Sequence, residues 1–159
     1  MNLTESERYC FAQVRRHDHD RYLTALFLAS ESRADALALY AFNQEVARSR
    51  EIVSEPLLGQ IRLQWWRETI EGIYANTPRE HPVVEALGVA IARHDLPHAA
   101  FDSLIDAREA DLEDGPRESL HALEVYARDT SGELAALVMQ PLEPGNSLAS
   151  DTAWRVGTA

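Results

Sequence analysis

The stretch Ser32-Arg33-Ala34-Asp35-Ala36-Leu37-Ala38-Leu39-Tyr40-Ala41-Phe42-Asn43-Gln44-Glu45-Val46-Ala47 contains neither glycine nor proline. Its apolar side chains recur at three- and four-residue steps, Leu37, Tyr40, Ala41 and Ala47 among them. Residues three and four apart share one face of an α-helix, so the pattern predicts an amphipathic helix over 33–52, with Ser30 or Ser32 as its N-cap.

The segments on either side read the same way. Thr4 or Ser6 can cap a first helix that runs to Arg16, and a second apolar stretch covers 22–29. Pro56 suits the first turn of a helix carrying Leu57, Ile61, Leu63, Trp65, Trp66, Ile70 and Ile73 as far as Tyr74. Further helices are predicted from Pro82 to about 94, from Pro97 to about 112 and from Ser119 to about 139, with Asp114-Gly115-Pro116 and Pro144-Gly145-Asn146 as turns. Ser150 or Asp151 can cap one more helix that is still running at Ala159. No segment alternates apolar and polar residues as a half-buried strand would, so the fold class is all-α. Residues 1–159 are expected to form a single partial domain cut short at the carboxy end, because a helix of one or two turns is only marginally stable without packing.

Composition narrows the function classes. All 15 basic residues are arginine, and 26 acids leave a net charge of −11, a field that repels nucleic acid and gives no basic patch for anionic lipid. Cys10 is the single cysteine, so it has no internal disulfide partner and is expected to be a small core residue in a reducing compartment. Glu5 and Glu7 interrupt the start of the chain, unlike a secretory signal or an acid-poor transit peptide. No stretch approaches a membrane span. The expectation is a bacterial, cytoplasmic protein, peripheral to a membrane if it touches one.

Several runs in one order carry a resemblance: Arg21-Tyr22-Leu23, Leu28-Ala29-Ser30-Glu31-Ser32-Arg33, Leu39-Tyr40-Ala41-Phe42, Arg62-Leu63-Gln64-Trp65-Trp66-Arg67-Glu68, the acidic 106–112, and Tyr126 followed by Ser131-Gly132-Glu133-Leu134. From about Asp20 onward the chain resembles the squalene/phytoene synthase family. Leu39-Tyr40-Ala41-Phe42-Asn43 and Val53-Ser54-Glu55 are similar in particular to its complex I assembly factor six subgroup. The resemblance implies an antiparallel bundle of the isoprenoid synthase type around a prenyl-diphosphate cavity.

Enzymes of this family join two prenyl diphosphates head to head. The diphosphate leaving group needs Mg²⁺, which prefers carboxylate oxygens, so two aspartates at i and i+4 project together from a helix. Aligned without gaps on the Tyr-Ala-Phe run, the family's arginine falls on Gln44 and its aspartates on Ala47, Arg48 and Glu51. Ala47 has no ligand atom and Arg48 inverts the charge, so the first metal site is expected not to form.

Glu51 and Glu55 keep the i,i+4 spacing as candidate shifted carboxylates, expected on the same helix or in its end. Asp102 and Asp106 repeat the spacing on another helix, where an exposed stripe paired with Arg108 or Arg117 is the competing reading. His17-Asp18-His19-Asp20 is read as a polar helix junction, since adjacent residues on a helix diverge. Tyr22, Tyr40, Phe42, Asn43 and Tyr126 are candidates to line a prenyl-sized pocket, and Trp65 and Trp66 are read as core and groove wall. The expected function is that of a family member without synthase activity, an assembly factor or prenyl-lipid-binding protein for respiratory complex I with a protein partner and no cofactor. The alternative is an active Mg-dependent head-to-head synthase that takes a prenyl diphosphate.

Overall fold

The computed structural model describes residues 3–51, 55–113 and 115–159. Val53 and Ser54, cited above for the subgroup likeness, lie outside the described residues, as does Asp114. The described residues form nine α-helices and no strand: α1 Glu5–His17, α2 His19–Ala25, α3 Ser30–Ala47, α4 Pro56–Tyr74, α5 Pro82–His94, α6 His98–Glu109, α7 Leu120–Ala127, α8 Glu133–Leu142 and α9 Ser147–Thr158. A π-helical turn, Arg128–Gly132, joins α7 to α8. None of these helices is long and apolar enough to cross a membrane.

Helix α3 is the centre of the bundle, with α1, α2, α5, α6 and α8 packed around it. Ala34, Ala36, Leu37, Ala38, Leu39, Ala41, Phe42 and Val46 are all buried, so the helix is covered on nearly every side rather than along one stripe. Its small residues allow this, since alanines at 34, 36, 38 and 41 let neighbouring helices approach closely. Phe42 sits edge-on to both Trp66 of α4 and Phe101 of α6, with ring centroids 5.4 Å apart in each case, and ties three helices together. Asp35, also buried, accepts hydrogen bonds from Arg93 Nη1 at 2.8 Å and 3.0 Å and lies 2.8 Å from His94 Nε2, fixing α3 to the end of α5.

Several predicted boundaries move. Helix α1 starts at a capping box, Thr4 Oγ1 accepting from the Glu7 amide while Glu7 accepts from Thr4 N. Helix α3 has Ala29 at its N-cap with no side-chain cap; Ser30 is its first residue, and Ser32, inside the first turn, donates its hydroxyl to the Pro141 carbonyl of α8. The predicted 119–139 helix is split by the π-helical turn and continues to Leu142, taking Pro141 into its last turn. Asn146, rather than Ser150 or Asp151, caps α9 by accepting from the Ala149 amide. Cys10 is buried as expected, and burial pushes its thiol pKa up to about 12, which leaves it unreactive.

Candidate functional site

Ala47 is the last residue of α3 and Arg48 its C-cap, so the helix ends where the family motif would begin. Glu51 lies beyond the helix and Glu55 is the N-cap of α4. Of the two places expected for this pair, the same helix or its end, the first does not hold, since α3 stops at Ala47 before either carboxylate. Arg48 occupies the ground instead. Its Nη1 lies 3.3 Å from His17 Nε2 and its Nε 3.8 Å from Glu51 Oε2, so the carboxylate kept at the third motif position faces an arginine of its own motif.

The polar junction of α1 and α2 closes the other side. Asp18 is both the C-cap of α1 and the N-cap of α2, and its carboxylate accepts from the Arg21 amide at 3.2 Å, Arg21 Nη1 at 2.7 Å and Gln44 Nε2 at 3.1 Å. Arg21 in turn stands over the Tyr40 ring, 5.6 Å from its centroid. Burial, then the charges of Arg48 and Arg16, lower the pKa of His17 and favour its neutral form. Two guanidiniums, a neutral imidazole, the Glu51 carboxylate facing Arg48 and the Asp18 carboxylate already holding three donors offer Mg²⁺ no open set of oxygen ligands. The residues at the first-motif positions do not fit the metal that the fold family implies. Among the described residues, no group of three or more His, Cys, Asp or Glu side chains is placed to hold a metal ion.

The second carboxylate pair is also engaged. Asp102 is 2.8 Å from His98, while Asp106 and Glu109 accept from Arg67 of α4 at 2.6 Å and 2.8 Å. Arg67, not Arg108 or Arg117, is the partner of that stripe. Arg108 and Arg117 bind Asp111 and embrace Tyr126, whose hydroxyl donates to Asp111 and whose ring lies 4.2 Å from the Arg117 guanidinium.

The candidate pocket residues stand in separate surroundings. Tyr22 packs on Phe11 and His19, and Tyr40 lies under Arg21. Phe42 and Asn43 are buried in the core, with Asn43 Oδ1 unpaired, and Tyr126 borders a cleft of about 480 Å³ with Arg117 and Asp129. Phe42 is thus enclosed by the core aromatics Trp66 and Phe101.

A cleft of about 640 Å³ lies on the outer side of α4, against Trp65 and Trp66, expected from the sequence as core and groove wall. It is lined by Tyr9, Glu45, Leu58, Ile61, Arg62, Trp65, Trp66 and His81. Trp66 is its buried floor and Trp65 its half-buried wall, their rings edge-on at 4.9 Å. Glu45 accepts from Arg62, a pair 17 residues apart. The two tryptophans of the wall were legible in the α4 sequence, but the participation of Tyr9, Glu45 and His81 was not.

The fold is one met in solved structures. A dehydrosqualene synthase in complex with ligand matches with a TM-score of 0.85 over 97% of this chain and 53% of that one, at 19% identity. The squalene synthase HpnC from Alicyclobacillus acidocaldarius matches with a TM-score of 0.84 over 96% and 57%, at 21% identity. At the level of sequence the chain belongs to the squalene/phytoene synthase family, whose profile its residues 14–159 match. It is 36% identical over its whole length to the Bos taurus protein named NADH dehydrogenase (ubiquinone) complex I, assembly factor 6, covering 48% of that protein. It is 35% identical over 97% of its length to the Homo sapiens protein of the same name, covering 46%. The chain thus spans about half the length of the curated relatives it matches. Both are mammalian and lend no support to the bacterial source expected from composition.

Proposed function

We propose that this protein takes part in the assembly of respiratory complex I through contact with a protein partner, and that it does not condense prenyl diphosphates. One observation carries the reading: Arg48, paired with His17 and Glu51, stands at a position where the family's metal chemistry needs a carboxylate. A guanidinium there repels Mg²⁺, and an alanine precedes it. The names of the bovine and human relatives support the assembly role.

The test is to incubate the full-length protein with farnesyl or geranylgeranyl diphosphate and Mg²⁺, and separately to measure complex I in a strain lacking the gene. The expected result is no pyrophosphate release above the protein-free control, together with a loss of assembled complex I that the intact gene restores. Release of pyrophosphate with a condensed head-to-head product, or normal complex I in the deletion strain, defeats the proposal.

A further inference from the structure

The turn between α2 and α3, Leu26-Phe27-Leu28-Ala29, carries apolar side chains into solvent. Phe27 is 91% exposed, more than any other large apolar side chain among the described residues, and Leu23 and Leu26 beside it are 44% and 38% exposed. The backbone beneath them is closed on itself. The amides of Leu26, Phe27 and Leu28 donate to the carbonyls of Leu23, Thr24 and Ala25, and Arg33 Nη2 donates to the carbonyls of Leu26 at 3.0 Å and Leu28 at 2.8 Å. Five of the six backbone polar groups of Leu26, Phe27 and Leu28 are thus satisfied within the chain. A turn in water needs no such closure, because solvent bonds its carbonyls. A turn pressed into an apolar medium does need it, since nothing there can bond an unmet backbone group.

The net charge of −11 does not extend to this end of the molecule. Residues 15–33 hold four arginines against three carboxylates, so the excess of acid lies on the rest of the chain. Asp18 neutralises Arg21, whereas Arg15, 6.0 Å from the centroid of the Tyr22 ring, Arg16 and Arg33 form no ion pair among the described residues. Asp20 and Glu31 are the other two carboxylates of the segment, both exposed. A convex apolar tip with arginines set back from it suits the boundary layer of a bilayer, where apolar side chains reach the acyl region and guanidiniums stay at the level of the phosphates. An anionic surface also orients the molecule, since it attracts this end and repels the acidic remainder. We propose that the tip formed by Leu23, Leu26 and Phe27 inserts into the interfacial layer of an anionic phospholipid membrane, with Arg15, Arg16 and Arg33 at the lipid phosphates. The proposal stands on this tip alone and is independent of the assembly reading.

The test mixes the full-length protein with vesicles of phosphatidylcholine containing a quarter phosphatidylglycerol and measures co-sedimentation. A second measurement follows an environment-sensitive fluorophore carried on Thr24→Cys, Cys10 being buried and left unlabelled. The expected result is co-sedimentation together with a blue shift of the fluorophore that appears only when vesicles are present. Phe27→Ser is expected to weaken the association about tenfold, the effect of withdrawing one large apolar side chain from the lipid. Val89→Ser, at an exposed apolar position of α5, leaves it unchanged. Since Phe27 and Val89 are both exposed, matching unfolding midpoints for the two variants exclude a folding defect. Failure to co-sediment, a Phe27→Ser variant that binds like the wild type, or equal association with phosphatidylcholine alone overturns the proposal. Blue-shifted emission before vesicles are added overturns it too, because protein would then cover the tip.

Discussion

Asp35 shows how much a single buried charge organises. It is 4% exposed, and its carboxylate is satisfied by the Arg93 guanidinium and the His94 imidazole. Replacing it by asparagine removes the charge while keeping the shape, so Asp35→Asn is expected to lower stability by about 1.5–3 kcal/mol, the range for hydrogen bonds to charged groups. Urea unfolding measures this, and an unchanged midpoint would show that the pair contributes nothing net, as some buried pairs do. The sequence could not nominate Asp35, because its partners lie 58 and 59 residues away. Ala47 and Arg48 were legible because a missing carboxylate is a property of the residue itself. Arg48's contact with His17, 31 residues distant, was not.

Among the elements, the boundaries that moved are those set by long-range contacts. Residues 48–51 continue the helical pattern, yet α3 ends at Ala47, and Arg50 beyond it donates to the carbonyls of Asp111 and Glu113. The π-helical turn has a similar origin. Thr130 turns its hydroxyl back to the Tyr126 carbonyl at 2.6 Å, and α9 lies so close to the turn that a Cβ on Gly157 would stand 2.5 Å from the Ser131 carbonyl oxygen. Gly157→Ala is therefore expected to destabilise by about 1–3 kcal/mol, the usual cost of overpacking. Gly88→Ala, inside α5 with only an ordinary 3.7 Å contact to Ile73, is expected to stabilise by about 0.5–1 kcal/mol. Thermal unfolding of the two variants decides, and shifts of the same sign would defeat the close-packing account.

For the molecule as a whole, two histidines set a pH dependence. Burial lowers the pKa of His81, whose Nδ1 accepts from the Val83 amide and caps α5, a role that needs that nitrogen unprotonated. Burial lowers His17 as well. Below their ordinary value of 6.5 the unfolded chain binds protons that the folded state resists, so stability is expected to fall as pH drops through about 6.5 and to level off below the folded values. Glu68, held below its ordinary value by Arg79 and Gln64, adds a separate loss only at more acidic pH. Urea midpoints at about pH 7.5, 6.5 and 5.5 should decline in that order, the pH points bracketing the histidine range. The decline should flatten in a His17→Gln, His81→Asn double variant, where the introduced amide oxygen can still cap α5. A midpoint that rises on acidification would refute the assignment.

The sequence by itself determined that the chain is helical, approximately where its helices run, and which motif positions lack a carboxylate. Helical period and ligand chemistry are properties of single residues and of neighbours within one turn. Only the tertiary structure decided that α3 is central and covered on nearly every side, that Arg48 faces His17, and that Tyr9, Glu45, Arg62, Trp65, Trp66 and His81 enclose one cleft. Those relations join residues drawn from separate helices, and helix packing fixes them where no local spacing can.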